Sequence, residues 1–271
     1  MTGASVPILM YHQVTPHAAP GFRQYSLTPR TFAAQMRWLS LNGYATLTPD
    51  ELLDDRRECS ANSKPQPKPR PKRSARPVLI TFDDGYADCI HYVVPILRAH
   101  GFTAVFYIVA GLLGKPSEWL IAERGLSWSL ADWPVLRQLE ALGCHCGAHS
   151  FSHPHLAELD EQACRVELER SREVLEDGLG HAVRHLAYPY GSYNEQVRGM
   201  AIEAGYHTST SVRIGLSAPD DDLMALHRVP MNGDESLLDF ACRVRTARTC
   251  KETARSRAAM LLHTLRVGRW R

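Results

Sequence analysis

Two short stretches carry the side chains best suited to chemistry. In LITFDDGY, residues 79–86, a strand-like run ends at Phe82 and is followed by two adjacent carboxylates, Asp83 and Asp84. In GAHSFSHPHL, residues 147–156, His149 and His153 stand four apart. That spacing places two imidazoles on one face of a helical turn and suits a single metal ion. One Asp and two His make three ligands, the number a catalytic zinc takes while keeping a position for water. Adjacent side chains on a strand point to opposite faces. The acid pair therefore reads as a division of labour: one carboxylate on the metal, the other taking a proton from a water whose pKa the metal lowers. Each stretch alone has a plainer explanation, a turn for Asp-Asp-Gly and surface or core histidines for the pair. Both lie at expected strand ends, and that coincidence points to a metal.

The elements that must position these residues alternate. Strands are expected at 6–11, 44–48, 78–82, 103–109, 143–148, 184–188, 206–212 and 225–230. Helices are expected from Thr28-Pro29 to about Asn42-Gly43, from Thr48-Pro49, and over 87–100, 129–142, 157–178 and 193–204. Pro just inside a helix start and Gly just past its end set these limits. Alternation over this length predicts an α/β fold with a mostly parallel sheet and helices outside. In such folds functional groups gather at the carboxyl ends of the strands.

The chain has 271 residues, and a hydrophobic content of 44% allows a sizeable core. Residues 56–77 carry eight Lys or Arg against one Glu, and residues 242–271 nine against one, so basic segments attach to an acidic body. Residues 60–77 hold five Pro and no large apolar side chain and read as a mobile insertion rather than a nucleic-acid site. No signal-peptide pattern opens the sequence and no membrane span is visible. Seven Cys give no even framework, so a reduced, cytoplasmic chain is expected. The basic tail is a candidate for peripheral membrane contact.

TFDDGY, HSFSHPHL and AYPYGSYN (187–194), in this order, resemble the polysaccharide deacetylase superfamily, also called the NodB homology or carbohydrate esterase family 4 domain. The resemblance covers roughly residues 5–232 and implies a distorted (β/α) barrel of about seven strands. Residues 233–271 then form a basic helical extension. It also implies metal-dependent removal of acetyl groups from an N-acetylated oligo- or polysaccharide, usually with zinc. By position, Asp83 corresponds to the general base, and Asp84, His149 and His153 to the metal ligands. Tyr190 corresponds to the residue whose backbone N–H holds the oxyanion, with Pro189 and Gly191 forming its turn. LMYHQV (9–14) resembles the branch acting on exopolysaccharides, in which the general acid comes first in the chain; this implies His12 rather than His263 of LLHT (261–264).

The sequence departs from the family pattern at Ala187, where an Arg often pairs with the base. Arg184 and Arg228 are the candidates to replace it. His155 reads as a neighbour of the site, not a fourth ligand. Cys144 and Cys146 read as buried strand residues, and Trp119, Trp128 and Trp133 as cleft or core. Hydrolysis of another non-peptide C–N bond, such as a cyclic amide, and a non-catalytic scaffold are the alternative functions.

Overall fold

Parallel strands need a crossover of a dozen or more residues, which a helix fills. The computed structural model describes residues 5–60 and 76–254. Its strands are β1 (Ile8–Tyr11), β2 (Gln13–Val14), β3 (Ser26–Leu27), β4 (Tyr44–Thr46), β5 (Arg76–Phe82), β6 (Val105–Ile108), β7 (His145–Ala148), β8 (His185–Ala187), β9 (Thr208–Ile214) and β10 (Leu226–Pro230). The helices between and after them are α1 (Pro29–Leu41), α2 (Pro49–Ser60), α3 (Cys89–Tyr92), α4 (Val94–Ala99), α5 (Glu118–Arg124), α6 (Trp133–Ala141), α7 (Glu161–Leu179), α8 (Glu195–Glu203) and α9 (Leu237–Thr246). Seven strands, β1 and β5 to β10, close into a parallel barrel, because β1 pairs with both β5 and β10. β4 lies outside the ring, paired with the first residues of β5.

Strand alternation sorts the apolar side chains into two layers. Ile8, Leu79, Val105, Tyr107, Ala187 and Leu226 meet inside the barrel, with Leu47 and Leu52 from the region of α2. The intervening residues, among them Leu9, Tyr11, Ile80, Phe82, Phe106 and Leu186, face outward onto Phe32, Met36, Leu97 and Leu168 of the helices. Helix starts follow local chemistry. Thr28, Asp132, Asp160, Asn194 and Ser236 each accept a backbone N–H with their side chains.

The expected helix over 87–100 is instead two short pieces, α3 and α4, with Pro95 in the first turn of the second. Proline has no N–H to continue the ladder. Helix α5 and the small β2–β3 pair come from stretches without clear periodicity. Beyond residue 232, α9 buries Phe240 in the main core, edge-on to Trp38 at 5.6 Å between ring centroids.

One expectation needs correction: the chain is not wholly reduced, since Cys242 and Cys250 are joined as a disulfide. An odd total count does not exclude one local pair eight residues apart. Cys144 and Cys146 are buried thiols on and beside β7, as expected for strand residues. Among the described residues no helix is long and apolar enough to cross a membrane. Most of the insertion, the basic tail beyond residue 254 and His263 lie outside the described residues.

Asp88, just before α3, has a buried carboxylate oxygen without a hydrogen-bond partner among the described residues. Burial pushes its pKa up to about 6, from an ordinary 3.8. A raised carboxyl pKa means stability that is whole below the unfolded value and lost as pH rises through the folded one. Asp88→Asn removes that loss. It should stabilise the protein at pH 7–8 by about 1–2 kcal/mol after allowance for partial exposure, or a few °C in Tm, and by nothing near pH 4. Thermal melts at both pH values check this.

Candidate active site

Leu79 and Thr81 of β5 face the barrel interior, and Asp83 continues their alternation one residue beyond the strand. Asp84 then leaves it: its φ of 72° is left-handed, as is the 75° of Gly85. Asp tolerates this region better than most residues with a Cβ. The consequence corrects the simple strand picture. The two acids are not sent to opposite faces; both line one cavity of about 370 Å³, with His12, His149, His153 and Tyr190.

His149 follows β7, and His153 comes four residues later, but no helical turn joins them. The segment is an irregular loop with Ser150 at φ 61° and His153 at φ 69°. It is held by side chains rather than by a helix ladder. Glu167 of α7 accepts the backbone N–H groups of Phe151 at 2.9 Å and Ser152 at 2.8 Å, and the Ser152 hydroxyl at 2.6 Å. Ser150 Oγ accepts the His153 N–H at 3.0 Å.

The ligand atoms of Asp84, His149 and His153 all lie within 4.8 Å of one another. Asp84 Oδ1 stands 3.4 Å from each Nε2. That is long for a hydrogen bond. It matches the edge of a tetrahedron whose ligands lie about 2.0–2.1 Å from a zinc ion, about 3.3–3.4 Å. The outer contacts free these atoms for a metal. His149 Nδ1–H donates to the Ala187 carbonyl at 2.7 Å, which leaves Nε2 as the open nitrogen. The Tyr86 hydroxyl donates to Asp84 Oδ2 at 2.7 Å. Burial opposes charge on Asp84, yet both histidines hold its carboxyl well below the usual range. Burial also lowers the His153 pKa, against Asp84, which favours the neutral imidazole that a metal needs. The residues present therefore fit a divalent metal.

Asp83 has a different partner. Arg228 of β10, fully buried inside the barrel, grips it with two parallel bonds: Nη1 to Oδ1 and Nη2 to Oδ2, both 2.7 Å. Arg228 Nε is spent on the Ser211 carbonyl at 2.9 Å. Burial raises the Asp83 pKa, but Arg228 and then His149 overcome this and hold it below the usual range. Of the two Arg candidates it is thus Arg228 that meets Asp83. Arg184 lies near Asp50, 4.0 Å away, and is half-exposed.

The family profile described as Polysaccharide deacetylase matches residues 70–209. The chain belongs to this family. It is a hydrolase of the polysaccharide deacetylase type, acting on non-peptide C–N bonds. YxkH of Bacillus subtilis is 29% identical over 226 residues, 83% of this chain and 71% of the relative. Poly-beta-1,6-N-acetyl-D-glucosamine N-deacetylase of Escherichia coli is 24% identical over 273 residues, covering 88% of this chain but 38% of its own length. Among solved structures, the Streptococcus pyogenes deacetylase PplD, in complex with acetate, superposes with a TM-score of 0.71 at 22% identity, over 87% of this chain and 96% of that one. The seven-strand barrel expected from the resemblance is thereby the fold of this family member.

The expected site residues gather at one end of the deacetylase barrel. His12 follows β1 and lines the cavity, its ring 5.1 Å from that of Tyr25. Tyr11, one residue earlier, stacks on Phe82 and donates to Gln35 of α1 at 2.8 Å, which fixes the strand that delivers His12. Pro189 opens a tight turn with Tyr190 at φ 57° and Gly191 at φ 67°. His155 stacks on Tyr190 at 3.9 Å and is not among the clustered ligands. Trp119 stacks on His153 at 4.3 Å, whereas Trp128 packs on Phe22 and Trp133 against Gly178. Tyr86, Glu123, Arg124 and Glu167 escaped the sequence reasoning. Tyr86 stands inside the Asp-Asp-Gly-Tyr stretch; the others have no local signal.

Arg228→Met leaves Asp83 buried without its cation. Loss of one partner of a buried pair costs about 3–5 kcal/mol, and the Asp83 pKa must rise. The acid limb of the pH–rate profile should therefore move to higher pH, with Arg228→Lys intermediate because it keeps charge but not the fork. Adding Asp83→Asn to Arg228→Met should recover stability in denaturant melts without recovering turnover.

Proposed function

We propose that this protein removes the acetyl group from the acetamido nitrogen of an N-acetylated oligo- or polysaccharide, using a divalent metal, zinc foremost. The observation that carries the reading is the pair of 3.4 Å separations from Asp84 Oδ1 to the two Nε2 atoms, beside a separately paired Asp83 in the same cavity. Asp84, His149 and His153 would hold the metal, which, when bound, polarises an acyl carbonyl and acidifies water.

Asp83 then takes the proton of the attacking water. Its anionic form is secured by Arg228, whose fork also fixes the direction of the carboxylate. The backbone N–H of Tyr190 stabilises charge on the acyl oxygen as the carbon becomes tetrahedral. His12, reaching the cavity from the other side of Asp83, gives a proton to the departing amine. The products are acetate and a free amino sugar. Phe22, Tyr25, Trp119 and Tyr190 give the cavity an aromatic lining that suits the C–H surface of a sugar, and Val212 and Ile214 extend the apolar wall.

The disulfide between Cys242 and Cys250 suits an oxidising compartment. We therefore favour work outside the reducing cytoplasm, in place of the cytoplasmic location read from the sequence.

Three kinds of variant separate the roles. Asp84→Ala, His149→Ala and His153→Ala should each empty the metal site, measured by elemental analysis, because a three-ligand site has none to spare. Asp83→Asn should keep the metal and lose most acetate release from N-acetylated oligosaccharides. His12→Ala should keep the metal and lower turnover by about 10²–10⁴-fold. Full metal in the ligand variants, or an empty site in Asp83→Asn, would refute the assignment. Removal of metal with chelator should abolish turnover, and added zinc should restore it.

A further inference from the structure

Helix α5 meets the site at three points. Trp119 stacks on His153. Arg124 donates from Nη1 to the Gly21 carbonyl at 3.1 Å and lies over the rings of Phe22 and Tyr25. Glu123 Oε1 accepts the phenolic O–H of Tyr190.

The third contact acts on a strained place. Tyr190 is left-handed at φ 57°, a region that a residue with a Cβ rarely adopts. Gly191 follows at φ 67°, and a Cβ there would lie 2.4 Å from a Val212 methyl, so the backbone is pressed against β9. Such a conformation persists only where its surroundings over-determine it. The Tyr190 ring is held on its face by His155, at 3.9 Å and 13°, and meets His153 at 4.6 Å and 66°. Its far end is held by Glu123, from a helix 67 residues earlier in the chain. Ring and backbone move together through one Cα, so a phenol tethered at its tip limits where the Tyr190 N–H can point.

We propose that Glu123 is a positioning residue for the acyl-oxygen donor: by tethering the Tyr190 phenol to α5 it fixes the direction of the Tyr190 backbone N–H. The inference rests on the deacetylase reading above, in which that N–H meets developing charge. A donor displaced by a fraction of an ångström loses more in the transition state than in the bound ground state. Glu123 therefore sets turnover more than affinity. The same tether ties α5, an element walling the sugar cavity, to the reacting centre.

The test uses the full chain loaded with zinc and two probes, p-nitrophenyl acetate and a β-linked N-acetylglucosamine pentamer. The ester reports the acyl centre whatever sugar the enzyme prefers. Glu123→Ala should lower kcat about 10- to 100-fold with KM changed by less than about twofold and metal content unchanged. Glu123→Gln should restore kcat to within about threefold, since its amide oxygen still accepts from the phenol. Tyr190→Phe, which removes only the hydroxyl, should match Glu123→Ala, and the double variant should be no slower than either, because both break one link. An unchanged kcat in Glu123→Ala, a loss confined to KM, or multiplied losses in the double variant would overturn the inference, while Asp83→Asn still inactive would leave the deacetylase reading standing. Wild-type turnover in Asp83→Asn would overturn that reading and the inference with it.

Discussion

The bidentate pair of Asp83 and Arg228 is the interaction on which the rest of the site is arranged. Neither charge could stand alone inside the barrel, where an isolated ion costs several kcal/mol to desolvate. The interior is shaped to admit both. Ala187 is small where it faces inward from β8. Gly147 on β7 leaves space for the Tyr107 ring, which a Cβ would meet at 2.7 Å. Thr81, below Asp83, receives a weaker bond from the same guanidinium at 3.3 Å. Four of the five N–H donors of Arg228 are engaged on Asp83, Thr81 and Ser211, which commits the guanidinium to the first acid, while the second is hydrogen-bonded by Tyr86 and faces the two histidines.

A second constraint is where the backbone is bent. Of the described residues other than glycine with positive φ, Asp84, His153 and Tyr190 line the cavity and Ser150 lies in the loop between two of its lining histidines; Ala247 ends α9. The barrel supplies regular, buried strands, and the strain begins one or two residues past their carboxyl ends. Glu167 holds one bent loop and Glu123 another, each from a helix. Rigid scaffold and bent rim are thus separate layers of the same molecule, and helices outside the ring decide the geometry inside its mouth.

Much of this was legible in the sequence, for reasons that differ by level. Alternating strands and helices are local, and so are Thr28-Pro29 at the start of α1 and the acid and histidine stretches at strand ends. One Asp and two His as candidate ligands followed from types and spacing, and the family resemblance singled out Asp84, although the helical turn assumed for His149 and His153 was wrong because Glu167 stabilises a different loop. The partner of Asp83 was not legible beyond two candidates. Arg184 precedes β8 and Arg228 lies within β10, and only register and barrel closure decide which faces inward. Glu123 and Arg124 sit on a helix with little periodicity of its own, in a stretch where any charged residue reads as solvated surface. The Cys242–Cys250 bond was missed because counting treats cysteines as a total rather than as neighbours on one helix end.

Closure of the ring through β1 has a bearing on how the protein comes into being during synthesis. Ile8–Tyr11 lies between β5 and β10, so the first of the barrel strands waits for the last before both its edges are covered. Asp83 leaves the ribosome 145 residues ahead of Arg228. At about 5–20 residues per second, that is roughly 7 to 30 seconds in which the acid has no cation. An unpaired carboxylate favours water, so through that interval burial of Asp83 carries a full desolvation cost. The seal of the barrel and the pairing of its interior charge are therefore one event: Asp83 and Arg228 leave water together when the last strand docks.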